Sequence, residues 1–257
     1  MIDVKFTWDG ETMMKLTILG KYGPFPAAGG ACSGYLAEQG ETRVLIDCGS
    51  GILSRLQQFC DIRNLNAVVL SHLHSDHMAD MLILRYALEI WKVRGIYNKG
   101  SLPVYLPENP SDIYKQITST PVFQPIPVED GTKAVIGDIL FTFREMTHPV
   151  PSFAMAVEGG GKKLVYTGDT SMNSMIEDFA KGADLLIADT GILEKDKTSK
   201  APHLTAGEAG RIAGRAGVKK LILSHIWPGY REEDIMKEAA RHYSNPMLAE
   251  EMKTYIL

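Results

Sequence analysis

The chain has 257 residues, 45% of them hydrophobic, enough for one large α/β domain with a sizeable core or for two small domains. Its 27 Lys and Arg against 31 Asp and Glu give a formal charge of -4, which excludes the bulk positive field that nonspecific binding to a nucleic-acid backbone relies on and leaves room only for a local basic patch. The three cysteines, Cys32, Cys48 and Cys60, are an odd number without CxxC spacing, so neither a disulfide framework nor a thiolate zinc site is indicated and a reducing cytoplasm fits best.

The first stretch, MIDVKFTWDGETMMKLTILG, lacks the basic-then-apolar layout of a signal peptide. No apolar run reaches the roughly 18 to 20 residues that a membrane span needs, so a soluble, cytoplasmic protein without a membrane partner is expected. The polar TWDGET reads either as a hairpin turn or as an extension ahead of a core that starts near Met14. A single domain over 1–257 is favoured.

KLTILG (15–20) and TRVLID (42–47) carry the apolar and β-branched pattern of strands, with the Gly/Pro-rich GKYGPFPAAGGACSG read as a loop between them. GILSRLQQF (51–59) has helical periodicity, and NAVVL (66–70) reads as a buried strand running straight into SHLHSDH. ADMLILRYALEIWKV then reads as a helix, LPVYLP and the short apolar runs from Val122 to Val157 as strands. KKLVYTGDT and ADLLIADT are two more strands, each ending in Asp-Thr. TAGEAGRIAGRAG is a predicted helix, KKLILSH a strand, REEDIMKEAARHY a helix and KTYIL a last strand. The region after SHLHSDH, with Arg85, Tyr86, Trp91 and Arg94 at helical spacings, is placed to cover a site or to form a dimer contact, with a buried helix face the plainer role for Trp91.

SHLHSDH concentrates three of the seven histidines in the chain into seven residues at the carboxyl end of a strand. His72, His74 and Asp76 alternate along the loop while His77 follows Asp76 directly, so two pairs of side chains can be aimed in two directions, as two adjacent metal ions require. Imidazole and carboxylate suit Zn²⁺, with Mn²⁺ or Fe²⁺ less excluded as carboxylates are added. The plainer alternative is a polar surface loop that happens to be rich in histidine. Two metals need further ligands at other strand ends, and His148, Asp169 and His225 each stand at such a junction. Alone, each would read as a capping or surface residue; His242, inside EAARHY, lacks the context and reads as surface.

These segments, LIDCGSG, SHLHSDH, His148, YTGDT and LSHIWP in that order, resemble the metallo-β-lactamase superfamily from Lys15 to the final strand. The resemblance implies an α/β fold, a four-layer αββα sandwich of two mixed sheets flanked by helices with two divalent metal ions at one edge. By position, His72, His74, His148 and Asp169 would hold the first metal, and Asp76, His77, His225 and the shared Asp169 the second. Asp47 would support the metal loop, its plainer reading being a strand-end turn aspartate. Two divalent cations, two aspartates and a bridging hydroxide leave a local charge of about +1, which favours a small anionic substrate attacked by that hydroxide, with Asp76 orienting it or accepting its proton.

HLTAGEAG, His203 to Gly210, is similar to the HxT box of the tRNase Z (ribonuclease Z) branch, which implies a catalytic His203 donating a proton to a leaving alkoxide. The same segment reads as a helix start with Thr205 and Glu208 forming a capping box, and both readings can hold together. Bacterial members that mature tRNA carry a long arm between the single histidine and the bridging aspartate. Here His148 and Asp169 lie 21 positions apart, room for two strands and a turn. The expectation is therefore an arm-less phosphodiesterase on a small phosphodiester such as a cyclic nucleotide, without large nucleic acid as substrate. A tRNase Z-type ribonuclease, a glyoxalase II or lactonase relative and a non-catalytic metal-stabilised binding module stay open. A homodimer is expected by analogy only.

Overall fold

The computed structural model describes residues 13–257, so the TWDGET segment lies outside the described residues. The first half runs β1 (Lys15–Gly20), β2 (Gly34–Gln39), β3 (Thr42–Ile46), α1 (Ile52–Leu56), β4 (Ala67–Val69), α2 (Ser75–Met78), α3 (Met81–Val93), β5 (Leu102–Leu106), α4 (Ser111–Thr118) and β6 (Phe123–Pro127). The second runs β7 (Lys133–Ile136), β8 (Ile139–Glu145), β9 (Phe153–Gly159), β10 (Lys162–Tyr166), α5 (Met175–Phe179), β11 (Leu185–Asp189), α6 (Ala206–Ala216), β12 (Leu221–Ser224), α7 (Glu232–Ala239), β13 (Met247–Leu248) and β14 (Lys253–Ile256).

The strands form two seven-stranded sheets, ordered β14-β1-β2-β3-β4-β5-β6 and β13-β12-β11-β10-β9-β8-β7. Each repeats one plan. In the first sheet β14, β1, β2 and β3 pair antiparallel, and β3 to β6 pair parallel. In the second β7 to β10 pair antiparallel, and β10 to β13 pair parallel.

Alternation along the strands sorts side chains into layers. Leu16, Ile18, Tyr35, Val44 and Ile46 from the first sheet meet Phe141, Phe143, Met155, Leu164 and Ile187 from the second in one buried cluster between the sheets. Leu36, Leu45 and Val68 point the other way and pack under Met81, Leu84 and Leu88 of α3. On the far side Val165, Leu186 and Leu223 pack under Ile212 and Ala213 of α6 and Ile235 of α7. The architecture is the expected αββα sandwich. Among the described residues no helix is long and apolar enough to cross a membrane.

Several elements escaped the sequence reading for a physical reason. GYLAEQ, now β2, has no β-branched residue and begins at a glycine, yet lies between β1 and β3 almost wholly buried. The one-turn α2 and the short α5 hold too few residues to show a period. Helix α7 stops at Ala239, so His242 is an exposed residue beyond its end. Trp91 is half-buried against the core under α3, with the Arg63 guanidinium over its ring.

Candidate metal centre

The carboxyl ends of the parallel strands β3, β4, β10, β11 and β12 open on one edge of the sandwich, where α/β folds place their ligands. β3 delivers Asp47, β4 runs into Ser71 to His77, β10 leads through Thr167-Gly168 to Asp169, β11 ends on Asp189, and β12 leads to His225. His148 comes from the β8–β9 connection. Asp47 and His225 both sit in left-handed backbone, at φ 54° and 55°, a conformation costly for residues with a Cβ and concentrated at functional sites.

The histidine loop is held from beneath by the LIDCGSG segment. The Cys48 amide donates to the His77 carbonyl at 2.7 Å, and the Asp80 amide donates to the Cys48 carbonyl at 3.0 Å. Gly49 lies so close that a Cβ there would fall 1.9 Å from the Asp76 carbonyl oxygen, which explains the glycine. Asp47, fully buried, accepts from the Ser71 amide at 2.7 Å, the Ser71 hydroxyl at 2.8 Å and the Tyr166 hydroxyl at 2.9 Å, and takes the Nδ1 proton of His77 at 2.8 Å. It supports the loop, as the sequence suggested, and fixes which nitrogen of His77 faces inward.

The same logic orients the other rings. His72 Nδ1 donates to Ser71 Oγ at 3.0 Å, whose own proton goes to Asp47, and His148 Nδ1 donates to the Pro202 carbonyl at 3.1 Å. Both therefore turn an unprotonated Nε2 into the centre. There His74 Nδ1 lies 3.1 Å from His72 Nε2 and 3.2 Å from His148 Nε2, and a single His74 proton cannot serve both.

All seven residues expected as metal ligands are brought together, in two groups sharing Asp169. His72, His74, His148 and Asp169 form one group; Asp76, His77, Asp169 and His225 form the other, each with candidate donor atoms within 4.8 Å of one another. In the second, Asp76 Oδ2 lies 3.1 Å from His225 Nε2 and 3.5 Å from His77 Nε2, and Asp169 Oδ2 lies 3.2 Å from His225 Nε2. Asp169 Oδ1 and His77 Nε2, both buried, face each other at 3.3 Å without a well-formed hydrogen bond to each other or to any other group. A tetrahedral zinc with bonds of about 2.0–2.1 Å holds its donor atoms about 3.3 Å apart, so spacing, orphaned atoms and donor chemistry all fit cations.

The electrostatics are those of a crowded buried cluster. Burial pulls His72 well below its ordinary value, whereas around His77 the carboxylates of Asp169, Asp76 and Asp47 outweigh burial and hold it well above. Against burial, His77 and His225 hold Asp76 below the usual carboxylate range, so that acid stays ionised.

His203 reaches the same edge. Its Nδ1 lies 3.0 Å from Asp189 Oδ2 and 3.8 Å from Asp169 Oδ2, while Thr205 and Glu208 form the expected capping box at the start of α6. Burial lowers its pKa, but Asp189 outweighs that and raises it to about 9. Asp189 itself went unrecognised as a site residue in the sequence, where it is the last residue of an apolar strand. It accepts from the Thr170 amide at 3.1 Å and the Gly191 amide at 2.8 Å, and its Oδ1 lies 3.6 Å from His225 Nδ1. The parallel Asp-Thr endings of KKLVYTGDT and ADLLIADT were its only signal.

Beside His148 opens a cleft of about 410 Å³, bounded by Thr147, Ser171, Met172, Lys197 and Lys200. Residues 85–107, which the sequence placed over the site or at a dimer contact, do not line it.

A family model described as the Beta-lactamase superfamily domain matches residues 42–226. YhfI of Bacillus subtilis (strain 168), a probable metallo-hydrolase, is 35% identical over 232 residues, 90% of this chain and 94% of that protein. Its crystal structure matches with a TM-score of 0.90 at 33% identity, covering 95% of this chain and 99% of that one. A ribonuclease Z of Bradyrhizobium sp. (strain ORS 278) is 26% identical over 283 residues, 88% of this chain and 94% of that protein. The human short-form tRNase Z shares the fold, with a TM-score of 0.73 at 20% identity over 94% of this chain and 98% of that one. Such a family implies divalent metal ions, and the chain belongs to the metallo-β-lactamase superfamily as a metal-dependent hydrolase.

Proposed function

We propose that the chain is a dinuclear phosphodiesterase acting on a small phosphodiester such as a cyclic nucleotide. His72, His74, His148 and Asp169 would hold one divalent ion, and Asp76, His77, His225 and Asp169 the other, Zn²⁺ suiting the donor set best. Bound there, the two ions would supply Lewis acidity and a water acidified toward neutrality. Asp76, kept ionised, orients the nucleophile. His203 is the proton donor to the leaving oxygen: Asp189 occupies its Nδ1, leaving Nε2 for the substrate, and its raised pKa keeps it protonated at neutral pH.

The observation that carries this reading is the His203–Asp189 pair set beside Asp169, because a positioned imidazolium serves a poor alkoxide leaving group. The named ribonuclease Z relative favours a second reading, endonucleolytic cleavage of RNA. Against it, β9 and β10 form a hairpin with only Gly160 and Gly161 between them, leaving no room for a gripping arm, and the net charge is -4. The test is a turnover panel of cyclic AMP, bis-p-nitrophenyl phosphate, precursor tRNA, a thioester and a lactone on zinc- or manganese-loaded protein. Hydrolysis confined to the thioester or lactone overturns the proposal, and precursor tRNA as the preferred substrate moves it to the second reading.

A further inference from the structure

The His225 side of the centre carries an aromatic pair that the hydrolytic reading leaves without a role. The loop between β1 and β2 is tied to the segment after β12: the Gly23 amide donates to the Ile226 carbonyl at 3.2 Å, and the Ile226 amide donates to the Lys21 carbonyl at 2.8 Å. Gly23 presses against the His225 imidazole, where a Cβ would fall 2.0 Å from Nε2. Two residues beyond Gly23 and two beyond His225 stand Phe25 and Trp227, their rings edge to face with centroids 5.2 Å apart and planes at 77°.

Both rings face water, Phe25 at 49% and Trp227 at 40% exposure, although large aromatic side chains gain most from burial. A T-shaped pair leaves ring face uncovered. Pro24 and Pro26 flank Phe25 and Pro228 follows Trp227, restricting the backbone so that the rings stand in place before any ligand arrives. We propose that Phe25 and Trp227 form a stacking ledge for the nucleobase of the substrate, making the chain selective for nucleotide phosphodiesters over aliphatic ones. The inference rests on the phosphodiesterase reading for the reaction, but its own content is recognition of a flat aromatic base next to the phosphate site. Stacking is tolerant of base identity, so purine and pyrimidine nucleotides are both accepted.

Adenosine 5′-monophosphate and ribose 5-phosphate differ only by the base, and their affinities can be measured by titration calorimetry on the full chain without any turnover. The wild type is expected to bind the nucleotide about tenfold more tightly, a ratio within the usual range for stacking. Trp227→Ala brings that ratio toward one, Phe25→Ala lowers it less, and Trp227→Phe retains most of it. Equal affinities in the wild type, or an undiminished ratio in folded Trp227→Ala, overturn the ledge. So does a Trp227→Ala change in sedimentation with the ratio intact, which would assign the pair to contact between two copies of the chain. If the ratio behaves as expected while no phosphodiester is hydrolysed, the ledge stands and the phosphodiesterase reading falls; hydrolysis of cyclic AMP without the ratio does the reverse.

Discussion

His203 and Asp189 meet through Nδ1 and Oδ2 at 3.0 Å, and Asp189 spends its remaining capacity on the amides of Thr170 and Gly191. A carboxylate pinned by two backbone donors cannot swing, so it holds the imidazole in one orientation and one tautomer. His203→Ala is expected to lower kcat on a phosphodiester by about 10²–10⁴, the usual weight of a general acid, with metal content unchanged by elemental analysis. Asp189→Asn acts through His203 as a positioning change. It should lower kcat more than it changes KM and should shift the alkaline limb of the pH profile to lower pH, because the charge that raises the His203 pKa is gone. An unchanged profile in Asp189→Asn would remove Asp189 from this role.

Chelation should destabilise the fold as well as stop hydrolysis. Asp76 and Asp169 are buried together in one donor group, and cations that bind only the native state stabilise it by mass action. At free metal about 100 times the dissociation constant this is about 2.7 kcal/mol, or roughly 5–10 °C in melting temperature for a chain of this size. Calorimetry with and without chelator measures it. Fewer than one metal per chain in replete protein would contradict a dinuclear centre.

Gly49→Ala tests the support under the histidine loop. The added methyl would meet the Asp76 carbonyl at 1.9 Å, so the loop must move, with a stability cost of about 1–3 kcal/mol and loss of metal from the second group. Gly100→Ala, with open space around its Cβ, is the matched control and should change neither melting temperature nor metal content.

Asp184 gives a pH signature away from the centre. It accepts from the Lys163 amide at 2.9 Å and Lys219 Nζ at 2.8 Å, and these outweigh burial to lower its pKa. A carboxylate with a depressed folded pKa contributes stability that is fully present above its unfolded value, about 3.9, and is lost as pH falls through the folded value. Wild type should therefore melt above Asp184→Asn at neutral pH, with the gap closing in the acid range below about pH 4.

Both donor groups of the centre were legible because HxHxDH follows an apolar strand, and His148, Asp169 and His225 repeat the strand-end placement. Asp189 was not, since nothing in ADLLIADT separates a buried hydrogen-bond acceptor from an ordinary strand-end turn. Phe25 and Trp227 were equally silent: they lie about 200 positions apart and meet because the segments that follow β1 and β12 pair through Lys21, Gly23 and Ile226. For the fold, periodicity found the long α3 and the apolar strands, while β2 was hidden because its burial comes from neighbours on both sides.

The repeated plan of the two sheets gives the centre a divided parentage. His72, His74, Asp76 and His77 come from the first half of the chain, and His148, Asp169 and His225 from the second, so neither half supplies the whole of either candidate donor group. Metal binding is then a clasp across the seam between sheets. Two fragments divided in the β6–β7 connection, each silent alone, should regain hydrolysis on mixing, and zinc should tighten their association.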